Sequence, residues 1–538
     1  MSESVFRSRI AVVGAGPVGL MHAIELFRRG VACRVFDRAS AHAETSRACV
    51  VHTRTLEHVA QAGIDEPFVT QGRRVRAMNY HFYDNAGAVA EAARLDFTDL
   101  DSRYPYVLTI PQSVIEQILR EHLASLGGEI EWNTELRSLT TDAGGAVTVR
   151  VVDTATGREE TLHPQWVIGC DGLNSTVRRH LGLAFVGDEY HAGEMRMTDA
   201  VLTATSSGLA LPGEDLDYHI HEHRMALLIP LPGRTHRVLV SDMSPVSGTG
   251  ISRAGFQSAL DDYFHGALTL GDLEGTANFY IRNRVSNRFR RGNIFLAGDA
   301  AHIHSPAGGQ GMNLGMQDAV NLGWRLALVA RGEGPPAILE GYERERVPVA
   351  HQVIARTKQL HDLLMAHGTP LAERLAILRD LGFIHQAVLG ISGIATTYRA
   401  TDPNTPAITS RGGLAAGDRA PDTALTPRCS VHDLLRHPGH TVLAFQRHAQ
   451  STPALRALRD HVGQRFGTRV RVSVLTAPDL RGLAPDGAVI ADSDAAHNLY
   501  GAYDTDALCL LRPDGHIHHL CELPQQHTLL TTLGTDLT

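Results

Sequence analysis

Residues 291–325 read RGNIFLAGDAAHIHSPAGGQGMNLGMQDAVNLGWR, and the rest of the chain is organised around them. Ile294, Phe295, Leu296 and Ala297 form a short apolar run that stops at Gly298-Asp299, as a buried strand stops at a turn. A loop carrying Gly308, Gly309 and Gly311 follows, and then a helical pattern from about Leu314 to Ala330. Glycines between a strand and a helix let the backbone approach a ligand closely. The helix start behind them presents N–H groups and the positive end of its dipole to an anion or an electron-rich ring.

Outward from this stretch, the same device recurs at the chain start. Arg9–Val13 is an apolar strand, GAGPVG at 14–19 opens a helix from about Val18 to Arg29, and a second strand, Ala32–Phe36, ends at Asp37. This is the strand–turn–helix–strand setting of a dinucleotide fingerprint, with the acidic residue about 20 residues past the loop. Gly14 makes the tight turn, Gly16 admits a pyrophosphate, Gly19 lets the helix pack on its strand, and Asp37 is placed to take a ribose hydroxyl.

The bulk composition narrows the classes further. A chain of 538 residues suffices for about three domains. A net charge of −8 with no basic block argues against a nucleic-acid partner. No run of roughly 18 uncharged apolar residues is present, so no membrane span is expected. The N-terminus enters a strand by Ile10 without a signal-peptide core. Six scattered cysteines without a CxxC pair fit reduced thiols in a cytoplasm. His516, His518 and His519 lack zinc-like spacing, and no metal is expected.

The 298–319 segment, GDAAHIHSPAGGQGMNLGMQDA, closely resembles the second FAD-contacting motif of the single-component aromatic hydroxylases, the group of para-hydroxybenzoate hydroxylase and phenol hydroxylase. Its HSP triplet and GQGMN run are most similar to the phenol hydroxylase branch. The resemblance implies that Asp299 bonds the FAD ribityl chain and that Pro306 lies beside the isoalloxazine. It implies that the loop at Gly309 and the N–H groups of Gly311, Met312 and Asn313 face N1 and O2 of the flavin, where a helix dipole favours the anionic reduced ring. Because this motif is of the FAD type, the dinucleotide at Gly14 is taken as FAD rather than NAD.

Three further segments carry the resemblance. In ETSRACVVHTRTLE, from residue 44, Arg47 would lie near the FAD pyrophosphate. Where phenol hydroxylase has a carboxylate held to be the base for the phenol, this chain has Cys49, and a thiol of pKa about 8.5 is a poor replacement. In YPYVLTIPQS, 104–113, Gln112 would touch the flavin. In WVIGCDGLNSTVRR, 166–179, Asp171 would hold Arg178 and shape a loop near both FAD and NAD(P)H.

The fold class this implies is α/β: a discontinuous Rossmann-like FAD-binding domain (1–74, 98–184 and 291–395), an inserted antiparallel substrate sheet (75–97 and 185–290), a linker at 396–415 and a thioredoxin-like α/β domain at 416–538. The tail lacks CxxC, so redox chemistry there is not expected. Among polar residues of the substrate strands (His219, His221, His223, Arg224, Tyr280, Arg282, Arg284), those expected at the reacting ring are His219, Tyr280 and Arg282, with Pro306 beside it. By family resemblance NAD(P)H, binding transiently near Arg47 and the Asp171 loop, reduces FAD, and O₂ then gives a C4a-hydroperoxyflavin that hydroxylates a phenolic or polycyclic aromatic. Baeyer–Villiger oxidation or epoxidation on the same fold, and a non-enzymatic flavin-binding scaffold, are the alternatives. A halogenase is disfavoured, because Trp132, Trp166 and Trp324 are isolated and form no WxWxIP stretch. The helices after 335 could carry a homodimer contact.

Overall fold

The computed structural model describes residues 9–42, 48–83, 89–205, 214–221, 224–242, 252–305, 308–365, 370–399, 413–483, 487–491 and 493–537. The fold is mixed α/β. Ile10–Val13, Trp166–Gly169 and Ile294–Leu296, all fully buried, run side by side and parallel, with Arg34–Phe36 and Ile130–Glu131 continuing the sheet on the other side. Continuous apolar runs of this kind are what strands covered on both faces require. The helices Pro17–Phe27 and Gly311–Arg331 pack on this sheet and on each other. A three-stranded meander, Thr134–Thr141, Val147–Asp153 and Glu159–Leu162, is appended.

The second large sheet is nine-stranded. Its long members are Phe185–Ala204 and Glu274–Ser286, and the hairpin Ala77–Tyr83/Val89–Asp96 forms one edge. At the opposite edge sits His302–Ile303, so the 291–325 stretch gives a strand to each of the two sheets and stitches them together. The expected antiparallel pattern needs one correction: Leu216–His221 pairs parallel with Ala77–Tyr83. The chain between those strands passes through the first sheet, and a long crossover lets strands run the same way. The helix Arg253–Phe264 also interrupts what reads in sequence as strands alone.

Beyond residue 413 lies a five-stranded sheet in which Val489–Ile490, Val470–Thr476 and His440–Gln446 run parallel, then Ala507–Leu511 and Ile517–Glu522 antiparallel. Strand alternation sends Leu443, Phe445 and Leu475 to one core and Val442, Ala444 and Val474 to another. Of the expected linker, residues 400–412 lie outside the described part. Among the described residues no single helix is long and apolar enough to cross a membrane.

Buried charge joins this C-terminal unit to the rest. Arg419 grips Glu57 of the helix Thr53–Gln61 at 2.5 and 2.9 Å, and Arg54 of the same helix donates to Glu57 at 2.9 Å and to the Asp514 carbonyl at 2.8 Å. Arg512 donates to both Glu345 oxygens at 2.7 and 2.9 Å and also pairs with Asp514, while Arg325 reaches Glu345 at 2.8 Å. Burial pushes the Glu345 carboxyl up, but Arg325 and Arg512 outweigh it and hold its pKa at about 2. Its folded pKa is below the ordinary value, so its contribution to stability is complete above about pH 4.5 and is lost as pH falls toward about 2. Replacing Glu345 by Gln leaves buried guanidinium charge uncompensated and should cost about 3–5 kcal/mol in a urea melt at neutral pH, and should flatten the acid dependence in that window; a loss under about 1 kcal/mol would mean that the network does not hold the domains together.

Candidate active site

The first glycine turn separates two demands. A Cβ on Gly14, at φ +104°, would lie 2.4 Å from the Cys170 carbonyl oxygen, and one on Gly19 would lie 1.9 Å from the Gly14 carbonyl oxygen. Both glycines are required by the packing of the chain on itself. Gly16 is different: its φ of −73° suits any residue, and a Cβ there meets nothing within 4 Å. The space at Gly16 is therefore open toward a ligand, beside the start of the helix Pro17–Phe27, which has no side-chain cap. Asp37 closes the turn, its carboxylate accepting the Ala15 N–H at 2.8 Å and the Ala39 N–H at 2.9 Å.

The second loop is held from behind by one carboxylate. Asp318, buried on the helix Gly311–Arg331, accepts the Gly298 N–H at 3.0 Å, pairs with His302 at 2.7 Å, and is gripped by Arg346 at 2.7 Å. Arg346 goes on to the Leu314 carbonyl and the Tyr398 hydroxyl, both at 3.1 Å. Burial raises the Asp318 carboxyl, but Arg346 and then His302 bring it down to about 2, so it stays charged. Gly315 allows this helix to sit against Gly298, where a Cβ would come within 2.9 Å of the Gly298 Cα. Asp299 is exposed between buried Gly298 and Ala300, so its carboxylate stands on the surface of the turn.

The helix start itself is open. Leu314 makes the first backward bond, to the Gln310 carbonyl at 2.9 Å, so the N–H groups of Gly311, Met312 and Asn313 precede the ladder. A Cβ on Gly311 meets nothing within 4 Å. The Asn313 side chain accepts the His52 N–H at 2.9 Å and donates to the Val50 and Gly309 carbonyls at 2.9 and 2.8 Å, tying the loop to the strand Val50–Val51. Gln112 holds the neighbouring chain, accepting the Ala48 N–H at 3.0 Å and donating to Glu116 at 2.8 Å. Two positions expected here, Arg47 and Pro306, lie outside the described residues. With two open glycines, two uncapped helix starts and anchored Asp37, the residues present fit an extended dinucleotide running from Gly16 to Gly311.

Asp171 holds its local loop, but through groups other than the Arg178 guanidinium. Its carboxylate accepts Ser175 Oγ and the Thr176 N–H at 2.6 Å and the Val177 N–H at 3.1 Å, capping the short helix Thr176–His180. The Arg178 guanidinium instead donates to the carbonyls of Ala300 and Leu173, each at 2.7 Å, and so ties this turn to the second loop.

Above the loop lies one face of the nine-stranded sheet, and the pleat decides which side chains it presents. On Leu216–His221, Tyr218 pairs with Leu227 on the face that carries Tyr80, Met195 and Met197, and Gly308 hydrogen-bonds its hydroxyl. The Tyr80 and Tyr218 rings stack with centroids 4.7 Å apart. His219 pairs with Ala226 on the opposite face, under the helix Arg253–Phe264. There it bonds the Tyr83 hydroxyl at 2.9 Å, stacks on His81 and meets Phe264 edge-on, and burial holds its pKa at about 3. The expectation that His219 faces the reacting ring is therefore corrected: alternation along the strand turns it away. Arg282 is corrected in the same way, since neighbouring Asn283 reaches the loop, accepting the Ser305 N–H at 2.8 Å, and successive side chains point to opposite faces. The Tyr280 backbone pairs with Glu194; its side chain and residue 223 lie outside the described part.

What sequence reasoning missed is Arg237. It sits on Thr235–Asp242 beside Leu239, on the Tyr218 face, 1% exposed, and pairs with Asp199 through Nε–Oδ1 at 2.7 Å and Nη2–Oδ2 at 2.8 Å. It also hydrogen-bonds the Cys49 thiol; burial nevertheless pushes that thiol up, so it stays protonated. The signal was a lone arginine in an apolar strand, THRVLV, whose pleat phase the sequence leaves open. Tyr218, Cys49 and Arg237 thus converge beside Gly308, Gly309 and Val50.

Residues 7–357 match the family described as the FAD binding domain. The chain belongs to this family. It is 35% identical to a pentachlorophenol 4-monooxygenase of Sphingobium chlorophenolicum, over 98% of this chain and 96% of the relative, and 32% identical to a 6-methylpretetramide 4-monooxygenase of Streptomyces rimosus, over 95% and 90%. The structure of an anhydrotetracycline hydroxylase of Streptomyces rimosus superposes with a TM-score of 0.75 at 27% identity, covering 98% of both chains. The protein is an FAD-dependent aromatic monooxygenase that draws on NAD(P)H and O₂.

Gly16 separates ligand from packing experimentally. Gly16→Val should leave the melting temperature of the FAD-free protein within a few degrees of wild type while weakening FAD binding, followed by flavin fluorescence, at least about tenfold, or about 1.4 kcal/mol. Gly14→Val, which must displace the Cys170 backbone, should lower both. Equal FAD affinity in Gly16→Val would contradict the placement of the dinucleotide.

Proposed function

We propose that this enzyme hydroxylates a phenolic ring, simple or fused, held between the flavin and the sheet face that carries Tyr218, Cys49 and Arg237. The observation that carries this is the convergence of those side chains on the Gly308–Gly309 loop of the cofactor cradle. The relatives matched over nearly their whole length are named for a chlorinated phenol and for a polycyclic pretetramide, which supports a ring bearing hydroxyls.

In this reading Gly14, Gly16, Gly19 and Asp37 hold the adenosine end and pyrophosphate of FAD, and Asp299, Gly309, Gly311, Met312 and Asn313 hold its ribityl and ring end, with Arg47, Pro306 and Gln112 at the margins. When bound, FAD supplies the two-electron chemistry that takes hydride from NAD(P)H and divides O₂ between water and the new ring hydroxyl. The protein binds, orients and keeps water out. Burial pushes the Tyr218 hydroxyl up to about 12, so it meets the substrate as a neutral hydrogen-bonding group. The Cys49 thiol is no general base, which leaves the ring's own electron density to drive attack. We assign the 416–538 unit as a thioredoxin-like brace without redox function: its cysteines contain no CxxC pair, and its contacts to Glu57 and Glu345 are structural.

The test is anaerobic reduction of the FAD-loaded protein by NADH or NADPH, followed near ~450 nm, where oxidised flavin absorbs. Phenols or fused phenolic rings should accelerate bleaching about tenfold or more, and Tyr218→Phe should lower kcat/KM about 10-fold or more through one lost hydrogen bond, with FAD content unchanged. No reduction by either nucleotide with any aromatic would sink this reading.

A further inference from the structure

The charge around Arg237 also bears on what the ring carries. Resting on the reading that the aromatic occupies the Tyr218 face, we infer that the substrate is an aromatic without a carboxylate, presenting only hydroxyl or carbonyl oxygens toward Arg237. An arginine in a buried site binds a carboxylate through two parallel N–H groups. Here that fork is filled by Asp199, whose two oxygens meet Nε and Nη2 at 2.7 and 2.8 Å, so the pair offers the substrate no net positive charge.

The surface beside this pair has the same character. A cleft of about 300 Å³ opens beside this pair and is lined by Gln71, Pro111, Ser113, Asp199, Leu231 and Glu274 among others. Glu274 stands directly across the strand ladder from Asp199. Like charges directly opposite on neighbouring strands repel, so their placement here is not explained by sheet stability. Asp199 and Glu274 thus both line the cleft, while the Arg237 guanidinium behind them is only 1% exposed against 15% for Asp199. A carboxylate brought to this pair meets the negative charge of Asp199 and Glu274 and a guanidinium whose fork is already occupied. The Tyr218 hydroxyl and the Cys49 thiol on this face are both protonated and neutral. A phenol or fused phenolic ring meets no such barrier.

The experiment is NAD(P)H oxidation by the FAD-loaded enzyme with matched pairs, phenol against 4-hydroxybenzoate and 2-naphthol against 6-hydroxy-2-naphthoate. The parent of each pair should exceed its carboxylated partner in kcat/KM at least about 100-fold. Asp199→Asn, which frees the guanidinium charge, should shrink that ratio about tenfold or more, and the exposed change Glu274→Gln, which threatens no buried contact, should shrink it about threefold. Carboxylated partners working as well as their parents in wild type, or ratios unmoved in both variants, would overturn the inference while leaving the hydroxylase reading intact. Failure of every aromatic in both sets would overturn the hydroxylase reading, and this inference with it.

Discussion

The Asp318 carboxylate is the fixed point of the cofactor cradle. It ends the strand Ile294–Leu296 by taking the Gly298 N–H, turns the chain into the second sheet through His302, and clamps the covering helix through Arg346. A buried carboxylate with one partner is a liability, whereas one with a guanidinium, an imidazole and a backbone N–H is satisfied on both oxygens. Once it is in place, the start of Gly311–Arg331 can go nowhere but against Gly298, and the Gly308–Gly309 loop is brought under the Tyr218 face.

The same logic operates at larger scale between the C-terminal unit and the helix Thr53–Gln61. That helix is buried along its whole length and carries Arg54 and Glu57 inward, which an isolated FAD-binding domain could not tolerate. Arg419 and the Asp514 carbonyl complete it. The strand Val50–Val51, which leads into this helix, is the one that Asn313 ties to the flavin loop. The tail thus reaches the site mechanically, through two covalently adjacent segments, without contributing a reacting group.

How much of this was legible depends on the range of the interaction. The glycine turns at 14–19 and 298–311 could be read because their demands are local: a tight turn and a helix start lie within a few residues of each other. The distinct parts read for the three glycines match their surroundings, since Gly16 faces open space whereas Gly14 and Gly19 face carbonyls. The strands of the substrate sheet were legible as strands, but the phase of their alternation was not, and a one-residue error exchanges Tyr218 for His219 and hides Arg237. Asp171 and Arg178 look like an ion pair when read along the chain, but each finds a backbone partner instead. Glu57 and Arg419, 362 positions apart, carry no sequence signal of their pairing.

The central claim is that the reacting ring lies on the Tyr218–Arg237 face and not among the histidines behind the sheet. A crystal structure of the FAD complex with a bound phenol tests it most directly. The account predicts the ring between the isoalloxazine and Tyr218, with its hydroxyl toward Cys49 or Arg237. A ring bound beside His219 and Phe264, or none near the Gly308 loop, would contradict it.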